Sequence, residues 1–340
     1  MAVINKGAPR RGTLAFIPRP AGRTSSVAFF VVRRVLWMLP VLFFVILVTF
    51  TLMHLAPGSP WDRDNGRPLS PIVVRNLNEK FGLDLPVWRQ FLLYVWNLLH
   101  LDFGLSYQYQ SQTVSGLLLR SWQYTFWLGL LAFVVIVPCG ILLGVLAALR
   151  QNTWIDYVAL GFSTLSASVP NFVVGIILII VFAVGLDYWT NGSFYFPSGG
   201  FAFDQHLVMP VITLSVLPIS FIARLTRAST LDVLRQDFIR TAWAKGLAER
   251  LIVLKHVLKN SLMPVVTALG PTFAFLVTGS VIVENVFAIP GIGRAFVQGV
   301  TARDYPLILA TTILYAVVIA LANLVVDLLY VFIDPRVRFT

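Results

Sequence analysis

Six uncharged, mostly apolar stretches recur along the chain, at 35–61, 121–149, 157–186, 205–223, 260–283 and 305–326. A helix needs about 20 residues to cross an apolar layer about 30 Å thick, so each stretch can supply one crossing. Inside hydrocarbon the backbone must satisfy its own hydrogen bonds, which favours helices over open sheets. The pattern therefore reads as an all-α polytopic membrane protein with six transmembrane helices. Composition agrees: 57% of the residues are hydrophobic and 12% charged, where a soluble domain averages about 25% charged.

A formal charge of +11 could suggest nucleic acid, but the basic residues are placed differently. Seven Lys or Arg lie in the first 34 residues and eight in 224–259. No nucleic-acid motif or aromatic-interleaved basic stripe accompanies them, so nucleic acid is not an expected partner. If six crossings alternate from a cytoplasmic N-terminus, eighteen Lys or Arg fall inside and eight outside. That bias places both termini in the cytoplasm. The single cysteine, Cys139, excludes an intrachain disulfide; within VVIVPCGILLG it reads as a small packed apolar residue.

Residues 1–30 read as a basic cytoplasmic tail, because the first span is much longer than a signal-peptide core. Such a tail either solubilises and orients the first span or touches anionic lipid. Residues 31–338 then form the membrane domain. The first span, Arg34 to His54, should end before APGSP at 56–60. The external segment 57–120 carries Trp88, Phe91, Tyr94, Trp96 and Tyr107, and such amphipathic aromatic sequence suits a fold against the membrane-facing mouth.

Spans two and three, 124–149 and 157–186, should be joined by a short cytoplasmic turn. Pro170 is expected to kink the third span. Asn171 beside it could hydrogen-bond across the bundle or touch solute, making it a candidate translocation-path residue. Span four should run from His206 to Ile222, and spans five and six over 261–283 and 305–333. Asp327, with Asp334 after it, reads as interfacial. Glu284 and Asp304 flank an external loop as local polar contacts, and His54 reads as a structural partner. No metal-ligand cluster or nucleophile–base arrangement emerges, so catalytic, cofactor-binding and metal residues are expected to be none.

The segment LTRASTLDVLRQDFIRTAWAKGLAERLIVLKHVLKNSLMPVV at 225–266 is the most distinctive. Helix-compatible sequence should run from Thr230 to Ala244 and break at Gly246, which permits a sharp turn. Arg235, Arg240, Lys245, Arg250 and Lys255 offer a basic face. By itself that face fits lipid headgroups or an acidic protein partner.

The whole segment resembles the cytoplasmic coupling loop of ATP-binding-cassette importer permeases, and especially the dipeptide, oligopeptide and nickel permeases with their R-T-A-x-A-K-G-L pattern. Arg240, Thr241, Ala242, Ala244, Lys245, Gly246 and Leu247 carry that pattern here. Ordered support comes from MHLAPGSP, LDLPVWRQF, LDFGLSY, VENVFAIPGIGR, ARDYP and LVVDLLYVFIDPRVR, so the likeness spans about Val31 to Arg338. Where the broader permease motif has E-A-A, this chain has Arg240, Thr241 and Ala242; its distal I-x-L-P falls on His256, Val257, Leu258 and Lys259. Those departures fit the peptide-type branch.

The resemblance implies a subunit of the bacterial plasma (inner) membrane, paired with a second six-helix permease and served by two ATPase subunits and an extracytoplasmic solute-binding protein. Peptide is the implied cargo, with nickel or another small solute as the alternative. A membrane scaffold is a different-class alternative, and an intramembrane enzyme another. The 224–259 region would insert into an ATPase groove, with Ala242 and Ala244 allowing close packing and Gly246 the turn. The chain contains no G-x-x-x-x-G-K-[ST] phosphate loop. ATP and Mg are therefore expected in partner subunits, and no enzyme activity is expected here.

Overall fold

A computed structural model describes residues 23–61, 69–109 and 111–333. Among them the regular structure is helical, with one isolated bridge between Leu105 and Thr113. Of the expected tail, residues 1–22 lie outside the described residues, as does Asp334; α1 (Arg23–Leu55) begins directly after them. Six helical segments are long and apolar enough to cross a membrane: Phe29–Leu55, Val114–Leu149, Asn171–Trp189, Gln205–Leu234, Glu249–Val286 and Tyr305–Leu328.

The centre of the bundle is the pair α4 (Val114–Leu149) and α7 (Val208–Leu234). Leu128, Ala132 and Ile136 of α4 meet Met209, Leu214 and Ile222 of α7 in a buried core. Small residues let the two backbones approach, a device of helix pairs in lipid, where apolar burial alone gives little drive. At Gly144 an added Cβ would lie 2.5 Å from the Ala223 carbonyl oxygen and 2.5 Å from Thr226 Cβ. Helix α9 (Leu258–Thr278) packs on both members, and α12 (Tyr305–Ile333) on α9 and α1. Where α1 meets α12, Arg34 pairs with Asp327 at 2.5 Å.

The third crossing departs from the sequence expectation. Pro170 does not kink one helix; it separates α5 (Trp154–Ser168) from α6 (Asn171–Trp189). The cause is steric: a proline pushes the preceding residue out of the helical region, and Val169 sits at φ −99°, ψ 122°. Asn171 becomes the first residue of α6, and its amide forms no interhelical hydrogen bond among the described residues.

The fourth crossing also differs: α7 continues past Ile222 to Leu234, taking Arg224 and Arg227 out of the expected loop. Arg227 donates Nε to Asp156 Oδ1 at 2.6 Å and Nη2 to Oδ2 at 2.8 Å, and Arg224 donates to the Ser163 carbonyl at 2.8 Å. These bonds fasten α5 along α7. Asp156 is 1% exposed, so Asp156→Ala would leave a guanidinium without its fork-matched partner. We expect a loss of about 3 kcal/mol, read as a lower unfolding midpoint of the purified protein in detergent.

Within the stretch expected to be external, the described residues 69–109 are folded. Helix α2 (Pro71–Phe81) is capped by the Ser70 hydroxyl and starts with Pro71; α3 (Val87–Leu99) follows. Trp61 donates its indole N–H to Asn78 at 2.7 Å, and its ring packs with Phe81 and Tyr107. The carboxylate of Asp304 accepts from the Ser106 hydroxyl and, at 3.3 Å, from the Gln108 amide, tying the segment to the turn before α12. Burial raises the Tyr107 phenol above its ordinary pKa, with Asp304 and Tyr305 adding to the effect. His54 contacts the Phe50 carbonyl through Nδ1 and Gln90 Oε1 through Nε2, in line with a structural role.

Candidate coupling surface

Beyond α7 the chain turns at Arg235 and Gln236, the latter extended at ψ 150°, and enters α8 (Asp237–Ala244). The expected continuous helix from Thr230 to Ala244 is thus broken. Asp237 in the first turn suits a helix N-terminus, and the Thr241 hydroxyl donates back to the Asp237 carbonyl at 2.9 Å. The helix ends on Gly246 at φ +72°, with the Gly246 amide donating to Trp243 at 2.9 Å and the Leu247 amide to Ala242 at 3.4 Å. A left-handed glycine just past the helix is the usual way to satisfy its last carbonyls. An added Cβ at Gly246 would meet nothing within 4 Å, so the requirement there is backbone conformation and not space.

The return arm runs through Glu249–Leu251 and a π-helical turn, Ile252–Val257, directly into α9. Two arms this short hold together through a small core of their own: Val233, Ile239, Ala242, Ile252 and Val257, with Leu234 against it. Ala242 therefore faces inward, and the close packing expected of it is made within this chain. Arg240, Thr241, Ala244, Lys245, Gly246 and Leu247 are exposed.

Residues that sequence reading passed over complete the outer face. Phe238 is 40% and Trp243 58% exposed, each next to an inward residue of the Ile239/Ala242 pair. That i, i+3 spacing is the signal that could have found them. The surface thus combines two aromatic rings with flanking cations, the composition of a protein contact more than of a solvated loop.

A second constellation lies around Glu284, which is fully buried. Its carboxylate accepts from the Thr125 hydroxyl of α4 at 2.9 Å, from the Gly293 amide at 2.7 Å and from the Arg294 amide at 3.2 Å. Thr125 in turn accepts from the Ile292 amide at 2.9 Å. The carboxylate of α10 (Val281–Val286) thereby caps α11 (Ile292–Thr301) and anchors both to α4. This is far more than the local polar contact expected of Glu284. Among the described residues, no three His, Cys, Asp or Glu side chains are grouped to hold a metal ion.

The chain is similar to known transport proteins. The family described as binding-protein-dependent transport system inner membrane component matches residues 140–339, and its N-terminal companion matches 27–126. An oligopeptide transport system permease protein, OppB of Haemophilus influenzae, is 41% identical over 310 residues, covering 91% of this chain and 99% of the relative. A dipeptide transport system permease protein, DppB of Bacillus subtilis, is 40% identical over 312 residues, covering 92% and 98%. Among solved structures, an inward-facing MetNI methionine ABC transporter aligns at TM-score 0.49 and 22% identity, covering 65% of this chain and 97% of that one. The chain belongs to the family of inner-membrane permease components of binding-protein-dependent transport systems.

Proposed function

We propose that this chain forms one half of the membrane path of an ATP-driven importer of dipeptides or oligopeptides. It pairs with a second six-helix permease and is driven by two separate ATPase subunits that hold the ATP and Mg. A solute-binding protein delivers cargo to the external segment 57–120. The observation that carries the reading is the outer face of the 235–257 hairpin, with Phe238, Trp243 and flanking Arg240 and Lys245 exposed and Ile239 and Ala242 holding it rigid from below. Arg240, Thr241, Ala244, Lys245, Gly246 and Leu247 are the contact set, and Ala242 supports them from inside. Nucleotide closure drives transport only by favouring one bundle orientation over the other, so the hairpin must transmit force without deforming. Peptide cargo is supported by the 41% and 40% identity to oligopeptide and dipeptide permeases.

The test is reconstitution with the partner subunits. Gly246→Val places a β-branched residue at φ +72°, a conformation that costs an L-residue about 1–2 kcal/mol. Peptide-stimulated ATP turnover is expected to fall at least tenfold while membrane insertion is kept. Trp243→Asp removes an anchor residue, and the ATPase subunits are expected to bind about 30-fold more weakly, as for a 2 kcal/mol hot spot. Unchanged uptake and ATP turnover in both variants would refute the coupling role.

A further inference from the structure

We propose that His54 is a proton-operated latch: doubly protonated, it fastens the C-terminal end of α1 to the α2–α3 fold, and loss of one proton loosens that fold. The hydrogen-bond geometry carries the inference. Nδ1 lies 2.9 Å from the Phe50 carbonyl oxygen and Nε2 3.2 Å from Gln90 Oε1. Both nitrogens therefore face oxygen, and the Gln90 amide is held in that orientation. Its Nε2 donates to the Leu83 carbonyl at 3.2 Å and to the Leu85 carbonyl at 2.8 Å. A flipped amide would turn oxygen toward both carbonyls and lose both bonds. A neutral imidazole has one N–H and one bare lone pair. Either neutral tautomer sets that lone pair against an oxygen, at Phe50 or at Gln90. Only the imidazolium, with a donor on each nitrogen, satisfies both.

The surroundings suit a charge that comes and goes. His54 is half-buried. Its ring stacks on Phe50 with centroids 4.1 Å apart and stands 5.5 Å from the Tyr305 ring, and aromatic faces attract a cation. It lines a cavity of about 490 Å³ between α1, α2, α3 and the start of α12, whose polar groups can hold water and so exchange protons. The other titratable groups of that lining are Glu79 and Lys80 of α2, Tyr94 of α3, Asp102 and Tyr107 beyond it, and Tyr305. Glu79 pairs with Arg75 at 3.0 Å, Asp102 accepts from the Gly104 amide at 2.9 Å, and Lys80 lies over the Phe81 ring. Asp304, beside Tyr305, is engaged by Ser106 and Gln108, and Arg89 of α3 lies over the Trp88 ring. Burial keeps the Tyr94 and Tyr107 phenols protonated. Among the described residues no carboxylate bonds to His54, so its charge answers to the two oxygens.

Through Gln90 the bond reaches the Leu83 and Leu85 carbonyls, so one ring joins α1, α3 and the turn before α3. The second bond exists only in the charged form. The docked arrangement is therefore favoured at low pH and weakens as pH rises through the histidine titration. Where the α2–α3 fold receives a solute-binding protein, as proposed above, delivery becomes pH-dependent.

Hydrogen–deuterium exchange of the assembled transporter in nanodiscs, compared at about pH 5.5 and about pH 8.5 to bracket histidine titration, provides the test. After correction for intrinsic base catalysis, peptides covering 83–94 are expected to exchange at least fivefold faster at the higher pH. Peptides of α9 should change less than twofold. His54→Gln, whose amide does not titrate, should abolish the difference. Solid-state ¹⁵N NMR reads the ring itself, in a labelled chain with His100, His206 and His256 replaced by Gln. His54 is expected to show two protonated nitrogens at the lower pH and one at the higher. A neutral ring in the protected state, equal corrected exchange of 83–94 at the two values, or a difference that survives in His54→Gln would overturn the proposal. Neither readout involves cargo or ATP, so failure here leaves the importer reading standing.

Discussion

Glu284→Leu is expected to prevent accumulation of a folded transporter, whereas Glu284→Gln should leave a weakened but assembled one. Leucine nearly matches the volume but strands the Thr125 hydroxyl and the Gly293 and Arg294 amides that the carboxylate now satisfies. Each buried donor left without a partner costs about 1–3 kcal/mol, so three approach the entire stability of an ordinary domain, about 5–15 kcal/mol. Glutamine keeps one acceptor oxygen for the Gly293 and Arg294 amides but turns an NH2 group toward the Thr125 hydroxyl, which then loses its acceptor. Comparing yield and size-exclusion profile of the two variants, together with Thr125→Val, measures the network. A Glu284→Leu protein with wild-type melting would show that the carboxylate is dispensable.

Gly144→Leu is the second change of this size. The space for its Cβ is bounded by the Ala223 carbonyl, Thr226 Cβ and the Arg227 amide at 2.5, 2.5 and 3.0 Å, so two of the three obstacles are backbone. A flexible side chain could swing aside; a helix backbone must move. Overpacking a tight core costs typically about 1–3 kcal/mol per site, and here separating α4 from α7 would also disturb the Arg227–Asp156 pair beside it. Loss of the monodisperse species in detergent is the expected result. Gly161→Ala in α5 serves as control, since an added Cβ there meets nothing within 4 Å; its melting should match the wild type.

Much of this architecture is legible in the chain because crossing hydrocarbon imposes a length and an absence of charge that periodic reading detects. Each of the six windows overlaps a helical segment long and apolar enough to cross, although the first half of 157–186 lies in α5. Misreadings occur where a local steric or pairing event overrides the window. Pro170 ends a helix with Val169 extended before it, whereas Pro138, Pro218, Pro264 and Pro271 stay inside helices, a distinction that hydropathy does not register. Arg224 and Arg227 look like loop residues until Asp156 and the Ser163 carbonyl are seen to accept from them. The G-x-x-x-G of Gly140 and Gly144 is the sequence signal for the close approach of α4 to α7. In the hairpin, the residue set could be read by resemblance, but which side chains point outward could not. That depends on five residues, from Val233 to Val257, meeting across the turn. Glu284 illustrates the same limit, because its main partner, Thr125, stands 159 positions away in sequence.

The π turn at Ile252–Val257 joins the hairpin to α9 without a break. Such a turn stores one surplus residue, and expelling it into regular α geometry would spin the downstream helix by about 100° and slide it by about 1.5 Å. Under the coupling role proposed above, a push on α8 would reach this turn before the membrane, and axial pressure would emerge as rotation of α9. Deleting one residue within that turn is expected to lock α9 at one end of its travel, giving ATP turnover that no longer responds to cargo.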